Sequence, residues 1–307
     1  MKNNVAMHLH DLRIFVTVAE LGSFSRAAEQ LGLAKGRVST AVQQLESRVG
    51  TRLLQRTTRS VRLSPDGERF LARAHELLTD AEQLEAMFRP AATGLSGRLR
   101  IDLPHRLARD LVLPRLPEFL SRHPGLEVGV STTDRRVDLV QEGFDCVLRV
   151  GALGDSEWVA RPLGQLPMRN LASPAYLAAH GTPRRLADLA RHRVVHYAAS
   201  LSAQGAAWDY LDGAGRPQRL PMAAQVTVNS TDAYQAAALA GLGLIQAPAL
   251  GTDALVASGA LVDVLPRLRA PAMPVSLLLP HRRQIAPRVQ AMMAWLTEVV
   301  GPVLEAS

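Results

Sequence analysis

The sequence predicts an α/β protein in two parts, a small helix-rich unit ending in a basic hairpin and a larger region of alternating strands and helices. Three observations predict it. Apolar residues recur at helical spacing in four runs within the first ninety residues. Cations gather between residues 35 and 62. Beyond a small, glycine-rich stretch at residues 90–97 (PAATGLSG), strand-length apolar runs alternate with helix-length amphipathic ones, the signature of α/β layers with a mostly parallel sheet.

The chain has 307 residues, enough for two or three compact units with their own cores. Hydrophobic residues make up 47% and charged residues 21%, which fits a globular protein and argues against disorder. No run approaches the ~18 apolar residues that span a bilayer. The polar start, Met1 to His10, has no apolar signal-peptide centre, so the expected location is the cytoplasm, away from membranes. Cys146 is the only cysteine, which excludes an intramolecular disulfide. A buried strand position accounts for it, with redox sensing as the alternative.

The first predicted helix covers residues 9–20, with Leu9, Leu12, Phe15, Val16 and Ala19 on one face. Gly22 and Ser23 interrupt it. A short second helix follows, capped by Ser23 or Ser25, with Ala27, Ala28 and Leu31 inward. Gly32 supplies a tight turn. The third helix spans residues 35–49, with an apolar stripe of Val38, Val42, Leu45 and Val49. Its opposite face carries Lys35, Arg37, Ser39, Thr40, Gln43 and Gln44, types that hydrogen-bond phosphates and base edges. Two short helices joined by a glycine turn make a helix-turn-helix.

Residues 52–56 and 60–63 read as two short strands of a basic wing, with Arg56 and Arg59 at its tip and Arg52 and Thr58 as further DNA-binding candidates. Seven cations against the single acid Glu46 give residues 35–62 a charge of +6, within a chain total of +7. That excess suits a phosphate-facing surface. Ser64, Pro65 and Asp66 then open a helix of about 25 residues. Along it Phe70, Ala74, Leu77, Ala81, Leu84 and Phe88 alternate at spacings of 4 and 3, a heptad seam. Pairing with a symmetry mate buries such a seam, and packing on its own unit is the alternative. A two-fold dimer presents two recognition helices to a palindromic site on double-stranded DNA.

The segments SFSRAAEQLGL and VSTAVQQLESRVGTRLLQRTTRSVRLSPDGERFL resemble the N-terminal signature of LysR-type transcriptional regulators. The resemblance is specific over residues 9–90 and continues more loosely to about residue 300. It implies a winged helix-turn-helix over residues 1–64, a dimerising linker helix over 65–90 and a hinge over 91–97. A two-lobed effector domain like a periplasmic binding protein follows, with lobe I from 98–163 and 267–307 and lobe II from 164–266. It also implies a homodimer or tetramer that bends promoter DNA, with RNA polymerase as a further partner. Where the family often opens its recognition helix with Ser-Gln-Pro or Ser-Gln-Ser, this chain has Ala34, Lys35 and Gly36. Lys35 therefore reads as a phosphate contact, and Arg37, Thr40 and Gln44 as the base-edge candidates.

In the C-terminal region, strands are expected at 98–103, 126–131, 144–149, 226–228, 243–246 and 274–279, and helices at 107–123, 135–142, 231–240 and 286–300. Ligands of α/β sheets bind at the carboxyl ends of strands. Those ends carry Pro104, His105, Arg106, Ser131, Thr132, Arg149 and Gly151 in the first lobe, and His196, Asn229, Ser230, Gln246 and Pro248 in the second. The resemblance places a small-molecule effector among them. Arg106 and Arg149 suit an anionic one, although Arg106 also fits an ordinary surface position and Ser230 a plain helix cap.

Other functions find little support. No HExxH or cysteine cluster marks a metal site, and no cofactor is expected. Gly241-Leu-Gly243 follows a helix and precedes a strand, the reverse of a dinucleotide loop. No G-x-S-x-G elbow occurs, so an enzyme is not expected. A solute-binding protein fits residues 98–300 alone, but the basic winged start argues against it.

Overall fold

In a computed structural model of the chain, residues 8–56, 61–86, 94–133, 143–153, 158–198, 205–280 and 285–305 are described. The described residues fall into two compact units, 8–86 together with 143 and 144 in one and the remainder in the other. The expected helix at 135–142 lies outside the described residues.

The N-terminal unit contains α1 (Leu9–Leu21), α2 (Phe24–Leu31), α3 (Lys35–Val49), β1 (Leu54–Arg56), β2 (Val61–Leu63) and α4 (Pro65–Ala86). Its core forms around Leu12, Phe15, Ala27, Val38, Val42, Leu45 and Leu53, all nearly inaccessible. Ser23 is the cap of α2, its Oγ accepting from the Arg26 amide at 3.4 Å. Gly32 adopts φ 64°, and its N–H satisfies carbonyls at the end of α2, which frees the chain to turn into α3. α3 starts at Ala34 without a side-chain cap. The wing strands pair antiparallel, Leu54 opposite Leu63 and Arg56 opposite Val61.

Ser64 joins wing to helix. Its Oγ donates to the Arg52 carbonyl at 2.6 Å and accepts from the Gly67 amide at 2.9 Å. Gly67 is required by close approach, since a Cβ there would lie 1.9 Å from the Leu53 carbonyl oxygen.

The single-seam reading of α4 needs correction. Phe70 meets Phe15 edge-on at 5.3 Å, and Ala74 is buried in the unit's own core beside Leu71 and Leu78. Ala81 is half-buried, whereas Leu77 and Leu84 are 40% and 65% exposed. The first turns of α4 are spent on their own unit because α1 packs against them. Phe88 lies outside the described residues.

The C-terminal unit is two-lobed. Lobe I opens with β3 (Ser96–Leu103), then α5 (His105–Leu107), which runs through a π-helical turn into α6 (Leu113–Arg122), β4 (Gly125–Thr132), β5 (Cys146–Val150) and β6 (Trp158–Leu166). Lobe II holds β7 (Met168–Ala172), α7 (Pro174–His180), β8 (Arg193–Tyr197), β9 (Ala207–Leu211), β10 (Pro217–Pro221), β11 (Ala223–Val228), α8 (Thr231–Leu239), β12 (Ile245–Pro248), α9 (Asp253–Ala257) and β13 (Val262–Asp263). The chain re-enters lobe I with β14 (Met273–Pro280) and α10 (Pro287–Val300).

The lobe I sheet has the order β4-β3-β5-β14-β6. Its first three strands pair in parallel, but β14 runs antiparallel to both neighbours. In lobe II, β12-β7-β13 is antiparallel and only β8–β11 is parallel. The expected mostly parallel sheet is thus a mixed one, because the strand that returns from lobe II enters from the opposite end. Leu99, Ile101, Leu148, Leu277, Met292 and Trp295 centre the lobe I core, and Trp208, Leu244 and Tyr176 part of lobe II.

Candidate functional site

Two surfaces, one in each unit, carry chemistry. On the N-terminal unit, α3 is sharply two-sided. Val38, Ala41, Val42 and Leu45 are buried, while Lys35, Arg37, Thr40, Gln43 and Gln44 are exposed and Ser39 is half-buried. Burying the apolar stripe fixes the rotation of the helix, so the polar face points outward as a set. Ser25 and Arg52 are exposed as well. Arg56 ends β1, whereas Thr58 and Arg59 at the wing tip lie outside the described residues.

Two contacts that sequence reasoning missed lock this surface. Glu46, on α3, accepts from the amides of Leu53 and Leu54 through Oε1, each at 2.9 Å, tying the wing to the recognition helix. Arg48 pairs with Asp11 of α1 at 2.5 Å. Their only sequence signal was the position of one acid in a basic stretch.

In the C-terminal unit, a cavity of about 690 Å³ opens between the lobes. Of the expected effector residues, Pro104, Arg106, Arg149, His196, Gln246 and Pro248 line it. Ser131, Thr132, Gly151, His105, Asn229 and Ser230, also expected there, lie outside its lining. Ser131 and Thr132 end an edge strand, and the Gly151 amide donates to the Pro274 carbonyl. His105 faces Asp232 at 3.0 Å on the rim, and Asn229 is exposed. Ser230 caps α8 through the Ala233 amide, the plainer of its two expected roles. For Ser131 and Thr132 a strand's end marks a level in the fold, while the pleat decides which side chains turn to the cleft.

Missed lining residues include Asp209, Arg219, Tyr234 and Met273, and Tyr197 lines the cavity beside His196. The rings of Tyr197 and Tyr234 meet edge-on at 5.5 Å. The Tyr234 hydroxyl accepts from the Gln246 amide at 3.1 Å, and burial pushes its pKa up to about 12. Gln246 spends its side chain internally. Its Oε1 accepts from the Asp209 amide, and its Nε2 donates to the Asp209 carbonyl and to Asn170 Oδ1. Gln246 therefore pins the β9–β10 hairpin to the floor of lobe II.

The cleft cations are occupied too. Arg149 Nη1 pairs with the fully buried Asp102 at 2.5 Å and also donates to the Leu148 carbonyl. Arg149 Nη2 is buried without a hydrogen-bond partner among the described residues. Arg106 reaches across the cleft to the Gly251 carbonyl at 2.9 Å and to Gln235, with Asp232 at 3.5 Å and Asp110 at 3.7 Å. Arg109 adds a further pair with Asp232 at 3.0 Å.

Cys146 is buried in β5, and burial pushes its thiol far above the usual range, so the buried-strand reading holds for it. Among the described residues, no group of three or more His, Cys, Asp or Glu side chains is placed to hold a metal. No described helix is long and apolar enough to cross a membrane.

Residues 9–68 match the model of the bacterial regulatory helix-turn-helix protein, lysR family, and residues 92–301 that of the LysR substrate binding domain. The chain belongs to the LysR family of transcriptional regulators. It is 44% identical over 297 residues to the HTH-type transcriptional regulator YhjC of Escherichia coli K12, covering 97% of this chain and 99% of that one. It is 35% identical to the HTH-type transcriptional repressor PA14_22550 of Pseudomonas aeruginosa UCBPP-PA14, covering 93% and 90%. CrgA, a LysR-type regulator from Neisseria meningitidis, superposes with a TM-score of 0.59 at 30% identity, covering 96% of this chain and all of that one. ArgP from Mycobacterium tuberculosis superposes with a TM-score of 0.69 at 20% identity over 97% and 98%, a likeness of fold. As a LysR-type regulator, the chain joins a helix-turn-helix DNA-binding domain to a domain that binds effector ligands.

Proposed function

We propose that the outward face of α3 enters the major groove of promoter DNA, and that a small molecule in the interlobe cavity sets the regulatory state. The observation that carries the DNA reading is the rotation of α3. Its apolar stripe is buried, so Lys35, Arg37, Thr40, Gln43 and Gln44 stand clear together. Arg37, Thr40 and Gln44 read base edges, while Lys35 and Arg52 hold phosphates. Leu77 and Leu84, the exposed apolar positions of α4, face a second copy of the chain in a dimer or tetramer. The protein acts in the cytoplasm, with RNA polymerase as a further partner and no chemistry of its own.

The test is fluorescence anisotropy on the protected promoter fragment and on random duplex. Arg37→Ala costs about tenfold on the specific fragment and relaxes one base preference. Equal loss on both duplexes limits Arg37 to phosphate, and a wild-type chain that ignores duplex at low ionic strength ends the reading. Leu84→Asp, followed by light scattering, tests the oligomer: a surviving dimer removes α4 as the interface.

A further inference from the structure

Among the described residues, the three arginines lining the interlobe cavity are each matched by a carboxylate of the protein itself. Arg149 has Asp102 at 2.5 Å, and Arg106 has Asp232 and Asp110 at 3.5 and 3.7 Å. Arg219 has Asp209 at 3.9 Å. The remaining charge-bearing type on the wall is the imidazole of His196. Most other walls are apolar, among them Leu107, Val150, Leu166 and Met168. The edge-on pair Tyr197 and Tyr234 adds an aromatic surface.

From this pairing we infer that the effector is an uncharged, largely apolar molecule, ring-bearing or of similar bulk, with a neutral oxygen as its polar end. The inference rests on the reading of the cavity as the effector site and deepens it. Among the described residues, an anion entering here finds no cation without a carboxylate of its own. It either displaces Asp102, Asp232 or Asp209 from a guanidinium or leaves water unpaired, and both are unfavourable in a low-dielectric cleft. A neutral ligand leaves every ion pair in place. Arg149 Nη2 lacks an acceptor, and because Asp102 already supplies the negative charge, a carbonyl or hydroxyl oxygen suits it. Meeting a ligand oxygen requires that this buried donor rotate toward the cavity.

A matched pair of dyes tests charge at constant shape. N-phenyl-1-naphthylamine is neutral, and 1-anilinonaphthalene-8-sulfonate is the same ring system with a sulfonate; both brighten in apolar surroundings. They are titrated into the full-length protein at physiological salt, into wild type and into Ala207→Trp and Ala270→Trp. Both alanines are half-buried cavity residues on different segments, so a tryptophan at either fills space, and melting curves identify a misfolded variant. The expected result is saturable binding of the neutral dye, one per chain, lost in the folded tryptophan variants. The sulfonate dye binds the same site at least about tenfold more weakly, a gap of about 1.4 kcal/mol. Equal or tighter binding of the sulfonate, abolished by the tryptophans, overturns the uncharged class while leaving the cavity as the site. Neutral-dye binding that both tryptophans leave intact, or no saturable binding of either dye, overturns the cavity reading and the inference with it.

Discussion

Arg106 and Gly251, 145 positions apart in the chain, meet across the cleft, where Nη1 of the arginine donates to the glycine carbonyl oxygen at 2.9 Å. The guanidinium is 12% exposed and also reaches Gln235 and two carboxylates. It acts as a latch between lobes rather than as a free charge awaiting a ligand. Arg106→Ala is expected to lower stability by about 2 kcal/mol, since it removes several charge-assisted hydrogen bonds at a half-buried position. Hydrogen exchange at the amides of residues 250–253 should quicken in the same variant. Unchanged exchange there refutes the latch.

Asp102 and Arg149 form the most deeply buried ion pair, with Asp102 fully inaccessible. Asp102→Asn strands the arginine charge inside lobe I and should cost about 3–5 kcal/mol, read by chemical denaturation. The double change Asp102→Leu with Arg149→Met removes both charges and should recover much of that loss. A double variant worse than the single one contradicts the account.

Gly67→Ala should unfold the N-terminal unit more readily, by about 3 kcal/mol, because the added methyl meets the Leu53 carbonyl at 1.9 Å. Glu46→Ala should act on the same junction more mildly, leaving the Leu53 and Leu54 amides without their acceptor at about 1–3 kcal/mol. Both variants are checked by thermal melting and by DNA binding. Glu46→Ala should weaken binding while leaving its salt dependence nearly unchanged, since Glu46 touches no phosphate in this account.

His192 gives lobe II an acid-sensitive point. Burial first, then the neighbouring His180, holds its imidazole below the ordinary value of 6.5. The Tyr176 hydroxyl accepts from the Arg193 amide and lies 3.3 Å from His192 Nδ1. A proton on Nδ1 takes that ring acceptor away and leaves the hydroxyl the Arg193 carbonyl at 3.4 Å. With the folded pKa lowered, the unfolded chain binds the proton more readily. Stability is therefore fully present above pH ~6.5 and falls as pH drops below it. His192→Phe should flatten the decline in melting temperature between pH 7.5 and 5. An unchanged slope assigns the acid sensitivity to other groups.

What the sequence made legible was set by period. The stripe of Val38, Val42 and Leu45 repeats at helical spacing, and all three are fully buried, so the exposed face of α3 followed from the pattern. The same logic misled in α4. An apolar residue every three or four positions serves a helix's own core and a partner's equally, and Phe70 and Ala74 turned inward. In the cleft, strand ends were found but not their facing, which put Arg149 on the wall and left Ser131 off it. The β9–β10 hairpin contributes Asp209 and Arg219, yet its second strand, PQRLP, has a proline at each end and is largely exposed. Such a segment reads as a loop, since proline withholds a ladder donor. The pairing of Arg149 with Asp102 and of Arg106 with Asp232, each far apart in the chain, left no local trace at all.

The two passages of the chain between lobes lie side by side, for Met273 pairs with Leu166 where β14 begins and β6 ends. Two separate strings would let the lobes swing, twist and slide. A single hydrogen-bonded ribbon resists shear and torsion and yields mainly by flexing, as a book does at its spine. A ligand touching both lobes would therefore act chiefly on the angle at which that ribbon holds them.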